Sequence, residues 1–127
     1  MSKYGEAAVA AAQMVSRGRV KRASDAWEAA VQQTFPGRLA SQRKGCPRGA
    51  FLGLCESGLV KGVPGGSYTR ARLNKQYAVD AVQLLRKHPA LADDPDQIWR
   101  LVIGGGAKVE NSQMDVVVTL WQRGLIA

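Results

Sequence analysis

Apolar residues recur at helical spacing in six stretches of the chain, most of them closed by glycine or proline. Tyr4, Ala7, Ala8, Ala11, Met14 and Val15 form the first stripe, the i, i+3, i+4 pattern that puts side chains on one helix face. Gly18 ends it inside the basic run Arg17, Arg19, Lys21 and Arg22. Ser24 is placed like an N-cap, with Asp25 and Glu28 in a first turn where the helix dipole favours acids. Trp27, Ala30, Val31, Thr34 and Phe35 follow, and Pro36-Gly37 stops the helix. A basic connection from Arg38 to Lys44, with room for a helical turn, leads to a third helix opened by Pro47. Its stripe is Phe51, Leu54, Cys55 and Leu59, with Gly58 where a C-terminal cap belongs.

Residues 61–73 read two ways. Val63-Pro64-Gly65-Gly66-Ser67 is a turn signal, so Leu59-Val60 and Tyr68-Thr69 can pair as a short hairpin or leave the segment an irregular loop. Asn74 then caps a fourth helix carrying Tyr77, Ala81, Val82 and Leu85, which ends at His88-Pro89. Asp94-Pro95-Asp96-Gln97 is the strongest start signal in the chain, an acidic cap with proline at the first position and Gln three residues after the cap. The fifth helix carries Ile98, Trp99, Val102 and Ile103 as far as Gly104-Gly105-Gly106. Ser112 with Asp115 opens the last, whose inward set is Val117, Leu120, Trp121 and Leu125.

The two sets of three helices resemble each other, an internal repeat of residues 1–66 and 67–127. Tyr4 with Ala8-Val9 matches Tyr77 with Ala81-Val82, the Trp27 helix matches the Trp99 helix, and Gly58-Leu59-Val60 matches Gly124-Leu125-Ile126. Any two triplets of amphipathic helices share such features, and few of the aligned residues are identical. The expected fold is one all-α domain over residues 1–127, of about six helices in two similar three-helix halves. The alternative is a winged-helix-like first half, with a short hairpin at 60–72 as a basic wing around Gly65-Gly66.

Composition narrows the class without reaching a reaction. The chain has 127 residues, of which 46% are hydrophobic and 22% charged, an ordinary globular balance. A domain of this size buries roughly two-thirds of its unfolded surface and needs no metal or disulfide to hold a core. Two cysteines are too few for a disulfide framework and read as reduced thiols of a cytoplasmic protein. No run approaches the ~18 apolar residues of a membrane span, and the alanine-rich first helix, with Glu6 inside it, is not a targeting segment.

Charge is placed unevenly. Residues 17–75 hold 12 Lys and Arg against 3 acids, while the whole chain carries +8, so the middle of the chain supplies the entire excess. Clustered cations beside glycine-rich stretches are the electrostatic footprint of a nucleic-acid binder, with ordinary solvated side chains as the competing reading. Arg43, Lys44, Arg48, Arg70 and Arg72 are the candidate phosphate contacts. Tyr68, among Ser67, Thr69, Arg70 and Arg72, is the one aromatic placed like a base-stacking residue, unless it only closes its loop.

The stretch Arg43-Lys44-Gly45-Cys46-Pro47-Arg48-Gly49 carries the most chemistry. A helix opening at Pro47 turns free backbone N–H groups outward beside Lys44 and Arg48, as phosphate-binding helix ends do. Cys46 at the cap is then a candidate reactive thiol, because the dipole and nearby cations favour thiolate; a capping residue with its thiol packed inward is the plainer reading. Cys55 reads as core. One His, His88, two Cys and no carboxylate cluster make no zinc site. Gly62–Ser67 lacks the Gly-Lys-Ser/Thr ending of a P-loop, and Gly104–Gly106 follows a helix rather than the strand of a dinucleotide fingerprint. Capping explains Asp93, Asp94 and Asp96. The sequence implies no metal and no cofactor, and gives catalysis no positive support.

The block Gly45-Cys46-Pro47-Arg48-Gly49-Ala50-Phe51-Leu52-Gly53-Leu54-Cys55, with Tyr68-Thr69 and Asn111-Ser112-Gln113-Met114-Asp115 further on, resembles a small bacterial domain family of unknown function over nearly the whole chain. The resemblance implies a mostly helical cytosolic protein and draws attention to Cys46, Arg48, Tyr68 and Asn111; it brings no activity. The functional expectation is binding of an anionic partner, foremost nucleic acid, through the basic segment 17–75. The alternative is a protein–protein module or homodimer in which the charge serves solubility or an acidic protein partner.

Overall fold

A computed structural model describes residues 3–127. Among them are seven α-helices: α1 (Lys3–Ser16), α2 (Ala23–Thr34), α3 (Leu39–Gln42), α4 (Gly45–Glu56), α5 (Leu73–Lys87), α6 (Pro95–Val102) and α7 (Gln113–Gln122), with a 3-10 turn at Pro89–Asp93. The fold is all-α, six helices of useful length and the single turn α3 in the basic connection.

The core forms where the apolar stripes meet. α1 packs on α2 and α7, and α4 packs on both α5 and α7. Trp27 and Phe51, both essentially unexposed, stack at 5.3 Å between ring centroids. Burying rings of this size contributes about 2–3 kcal/mol each. Trp99 is buried and its indole N–H donates to the Lys108 carbonyl at 2.9 Å, while Trp121 and Leu125 stay half-buried at the core's edge.

No hairpin forms at 60–72, and with it goes the winged-helix alternative. The only strand-like pairing among the described residues joins Val60 to Ile126, antiparallel. The Lys61 N–H donates to the Leu125 carbonyl at 2.8 Å and the Ala127 N–H to the Leu59 carbonyl at 2.9 Å. Val60 thus finds its partner at the far end of the chain, and residues 61–72 remain a loop. Both paired tails leave their helices in the same way. Gly58 and Gly124 take left-handed φ of 71° and 72°, and the Leu59 and Leu125 N–H groups reach back to the Leu54 and Leu120 carbonyls at 3.0 and 2.9 Å. This is the Schellman end that glycine permits.

Helix starts differ more from expectation. α2 begins at Ala23, so Ser24 lies inside the first turn and Arg22 is at the cap. α4 begins at Gly45, which puts Lys44 at the cap, Cys46 in the first turn and Pro47 at the third position. Proline fits there because the first-turn N–H groups have no intrahelical acceptor to lose. Asn74 is not a cap either, since α5 starts at Leu73. Asp94 does cap α6, accepting from the Gln97 N–H at 3.2 Å. Ser112 stands at the cap of α7 with φ of 72° and no side-chain capping bond; the Glu110 carboxylate serves instead, accepting from the Met114 N–H at 3.0 Å.

Candidate functional site

The glycines of α4 decide how close α5 comes. A Cβ on Gly49 would lie 2.9 Å from the Ala71 Cβ, and one on Gly53 only 2.7 Å from the Lys75 Cα. Spaced four apart, both face α5, and no larger residue fits without moving backbone. The first turn of α4 is thereby brought against the segment that leads into α5.

That segment is held by Glu56, a residue the sequence pattern does not single out. Its Oε1 accepts from the backbone N–H groups of Tyr68 and Thr69 at 2.6 and 2.7 Å. Its Oε2 meets the Lys75 ammonium at 2.9 Å, with the Glu56 side chain only 9% exposed. Burial works to raise the Glu56 pKa, but the Lys75 hydrogen bond, the two backbone donors and the Lys75 charge together hold it below the usual glutamate range. The loop adds its own ties. The Thr69 hydroxyl accepts from the Ala71 N–H at 3.1 Å and the Tyr68 hydroxyl donates to the Pro64 carbonyl at 2.7 Å.

Between the start of α4 and this loop lies a cleft of about 740 Å³, walled by Gly45, Cys46, Arg48 and Gly49 on one side, Ser67 through Ala71 on the other, and Asn74. No side chain caps α4 and no acid occupies its first turn. The Gly45 and Cys46 N–H groups have no acceptor within the helix, and Pro47 has no N–H to offer. Four of the sequence candidates, Cys46, Arg48, Tyr68 and Arg70, therefore share one cleft although two stretches of chain supply them. Arg43 lines an adjoining cavity of about 450 Å³ together with Trp27 and Arg48. Arg72 lines a third hollow of about 630 Å³ with Glu56, Arg70 and Lys75. Lys44 turns elsewhere: its ammonium lies 5.3 Å from the Tyr4 ring centroid and 3.5 Å from the Ser112 hydroxyl.

Cys46 is half-buried in the cleft wall, whereas Cys55 is fully buried. Burial, and after it the Glu56 charge, pushes the Cys55 thiol up to about 12. Asn74 orients toward α7, its Oδ1 accepting from the buried Gln113 at 3.0 Å. Gln113 in turn accepts from the Asn111 N–H at 2.7 Å. The indole N–H of Trp27 is the one buried side-chain polar atom among the described residues with no partner. Those residues hold no cluster of three or more His, Cys, Asp or Glu fit for a metal ion, and no helix long and apolar enough to cross a membrane.

Glycines four apart and a lone acid at the end of α4 were the available signals for the cleft and for Glu56. Their meaning depends on α5 and the loop, which local pattern does not supply. The whole chain, residues 1–127, matches a family of unknown function, DUF6979. The chain belongs to that family. Membership in DUF6979 carries no activity, and no curated protein and no solved structure matches the chain.

Proposed function

We propose that this DUF6979 protein binds nucleic acid, with a backbone phosphate seated at the open end of α4. The observation that carries the reading is the convergence of Arg48, Arg70 and the uncapped first turn of α4 on one cleft. Unsatisfied N–H groups and the positive end of a helix favour an anion. Arginine adds a planar fork of donors that matches a phosphate's oxygens. Glu56 does not oppose this, because Lys75 and two backbone donors already engage its charge.

Fluorescence anisotropy with labelled DNA and RNA, titrated at about 50 and 200 mM salt, tests it. Binding that weakens steeply with salt is expected, with a slope of about 0.9 per phosphate contact on duplex DNA. The double variant Arg48→Ala/Arg70→Ala is expected to lose at least about tenfold in affinity and to flatten that slope. Lys61→Ala, exposed in the same basic segment but outside the cleft, is the control. An unchanged affinity in the double variant removes this cleft as the interface. The protein–protein or homodimer reading predicts a mass that rises with concentration and no nucleic-acid affinity, which sedimentation over the micromolar range checks alongside.

A further inference from the structure

The three hollows adjoin one another. Arg48 belongs to the walls of both the main cleft and the Trp27 cavity. Ser67, Thr69, Arg70 and Ala71 belong to the walls of both the main cleft and the third hollow. The hollows therefore follow one another from the Trp27 cavity, past the first turn of α4, to Glu56 at the helix's last turn. From Gly45 to Glu56 the helix rises about 16 Å, longer than the spacing between adjacent phosphates of an extended strand. Cations recur along the whole course: Arg43 in the Trp27 cavity, Arg48 and Arg70 at the two junctions, Arg72 and Lys75 in the last hollow. Two acids line it, Glu28 and the already engaged Glu56.

Resting on the reading of the cleft as a phosphate site, we infer that this groove is the path of one extended single strand of nucleic acid, bound through several consecutive phosphates. Charge that repeats along a groove complements a polyanion and is more than one phosphate requires. The groove is concave, with Gly49 and Ala71 in its wall, and a flexible strand enters such a hollow more readily than the stiff convex surface of a duplex. One feature favours nucleic acid over a bare chain of phosphates. Tyr68 stands in the wall of the main cleft, held by its hydroxyl bond to Pro64, and an aromatic ring gives an unstacked base a surface.

The test uses the full chain, labelled oligothymidylates from two to about twelve nucleotides, a labelled duplex, and inorganic polyphosphate as competitor. Affinity is expected to climb with oligonucleotide length and then level off within the roughly 4–16 nucleotides typical of single-strand sites. The duplex is expected to bind at least about tenfold more weakly. Arg43→Ala and Arg72→Ala, at opposite ends of the groove and both exposed, should each weaken the long oligonucleotide about threefold to tenfold while leaving the dinucleotide unchanged. Arg48→Ala should weaken both, and circular dichroism melts should show all three variants folded. A duplex that binds as tightly, end variants without effect on the long strand, or polyphosphate that competes as well as the oligonucleotide at equal phosphate would each overturn the single-strand path. The first two outcomes leave the phosphate site at α4 standing. Absence of binding to any nucleic acid overturns that site as well.

Discussion

α4 and α7 end alike and begin differently. Both finish in Gly-Leu-aliphatic, with glycines at φ of 71° and 72° and tails that pair at Val60 and Ile126. They pack on each other and each carries much of the core. At its start, however, α7 is closed by its own acids. Glu110 accepts from the Met114 N–H, Asp115 sits in the first turn, and Gln113 is tied to Asn111 and Asn74. α4 has no acid and no side-chain cap there, only Lys44 at the cap position and Arg48 one turn in. An N-terminus filled by its own carboxylate has no use for an external anion. One left open beside arginines has room for one.

Counting back from the matched glycines, four positions differ in kind. Gly49 and Gly53 of α4 correspond to Asp115 and Thr119, Glu56 corresponds to Gln122, and Lys44 corresponds to Glu110. The glycines admit α5, Glu56 holds the 67–70 loop, and Lys44 leaves the end uncapped. The glycines and Glu56 shape the cleft, and α7 has neither.

The largest effect should come from Glu56. Glu56→Ala leaves the Tyr68 and Thr69 N–H groups and the Lys75 ammonium without their acceptor, and is expected to cost about 3 kcal/mol in urea unfolding. It should also abolish nucleic-acid binding, because the loop bearing Tyr68 and Arg70 loses its anchor. The pH dependence has a fixed sign. A carboxylate whose folded pKa is depressed stabilises fully above its unfolded value, near 4.3. That contribution is lost as pH falls through the lower folded value. The stability gap between wild type and Glu56→Gln should therefore be constant near neutrality and shrink as pH drops below about 4. A gap that widens on acidification would show that the carboxylate is not what holds the loop.

Next comes the glycine face. Gly53→Ala forces a Cβ to within 2.7 Å of the Lys75 backbone and should destabilise by about 2 kcal/mol, as overpacking does. A thermal melt reads it. An alanine tolerated without change would mean that α4 and α5 approach less closely than the cleft requires.

Apolar periodicity was enough to find every long helix, because each buries one stripe against neighbours and the stripe's spacing is local information. Gly58, Gly124 and Asp94 were legible for the same reason, as their roles are set within one turn of chain. The starts of α4 and α5 were not. Pro47 is equally at home at any first-turn position, and the Asn74 side chain is claimed by Gln113 from a distant helix. The loop at 61–72 was ambiguous because strand pairing is decided by the partner, and Val60 takes Ile126 rather than its near neighbours. Of the site, the arginines and Tyr68 were visible as composition. Glu56 was not, since a single acid signals nothing until the N–H groups it accepts from, 12 and 13 residues on, are folded against it.

A smaller effect tests the open end itself. Lys44 already has the extended backbone of a cap residue, φ −60° and ψ 120°, so Lys44→Asp should supply the missing side-chain acceptor. It is expected to hold helix stability level or raise it by up to about 1 kcal/mol, with the loss of the Tyr4 and Ser112 contacts working against the new cap. Affinity for nucleic acid should fall about tenfold, because a carboxylate then occupies the position α7 gives to Glu110. Lower affinity with intact stability would separate the anion site from the fold. Affinity that stays level would mean the first turn of α4 takes no part in binding.

The smallest change is read at the two thiols, both of which belong to α4. Iodoacetamide should modify Cys46, half-buried in the cleft wall, and spare Cys55, which is closed to solvent and has its thiol pushed up to about 12. Thiolate is the reacting form, so burial and protonation protect Cys55 together. A saturating oligonucleotide should slow Cys46 labelling several-fold, since a strand seated between Arg48 and Arg70 covers that wall of the cleft. The labelling rate also weighs a reactive Cys46 against an ordinary one. A rate at pH 6 no faster than that of free cysteine leaves the thiol as a wall residue. Labelling that is fast and that bound nucleic acid does not slow would place the chemistry of Cys46 outside the strand's path, and with it the cleft's claim to be the nucleic-acid seat.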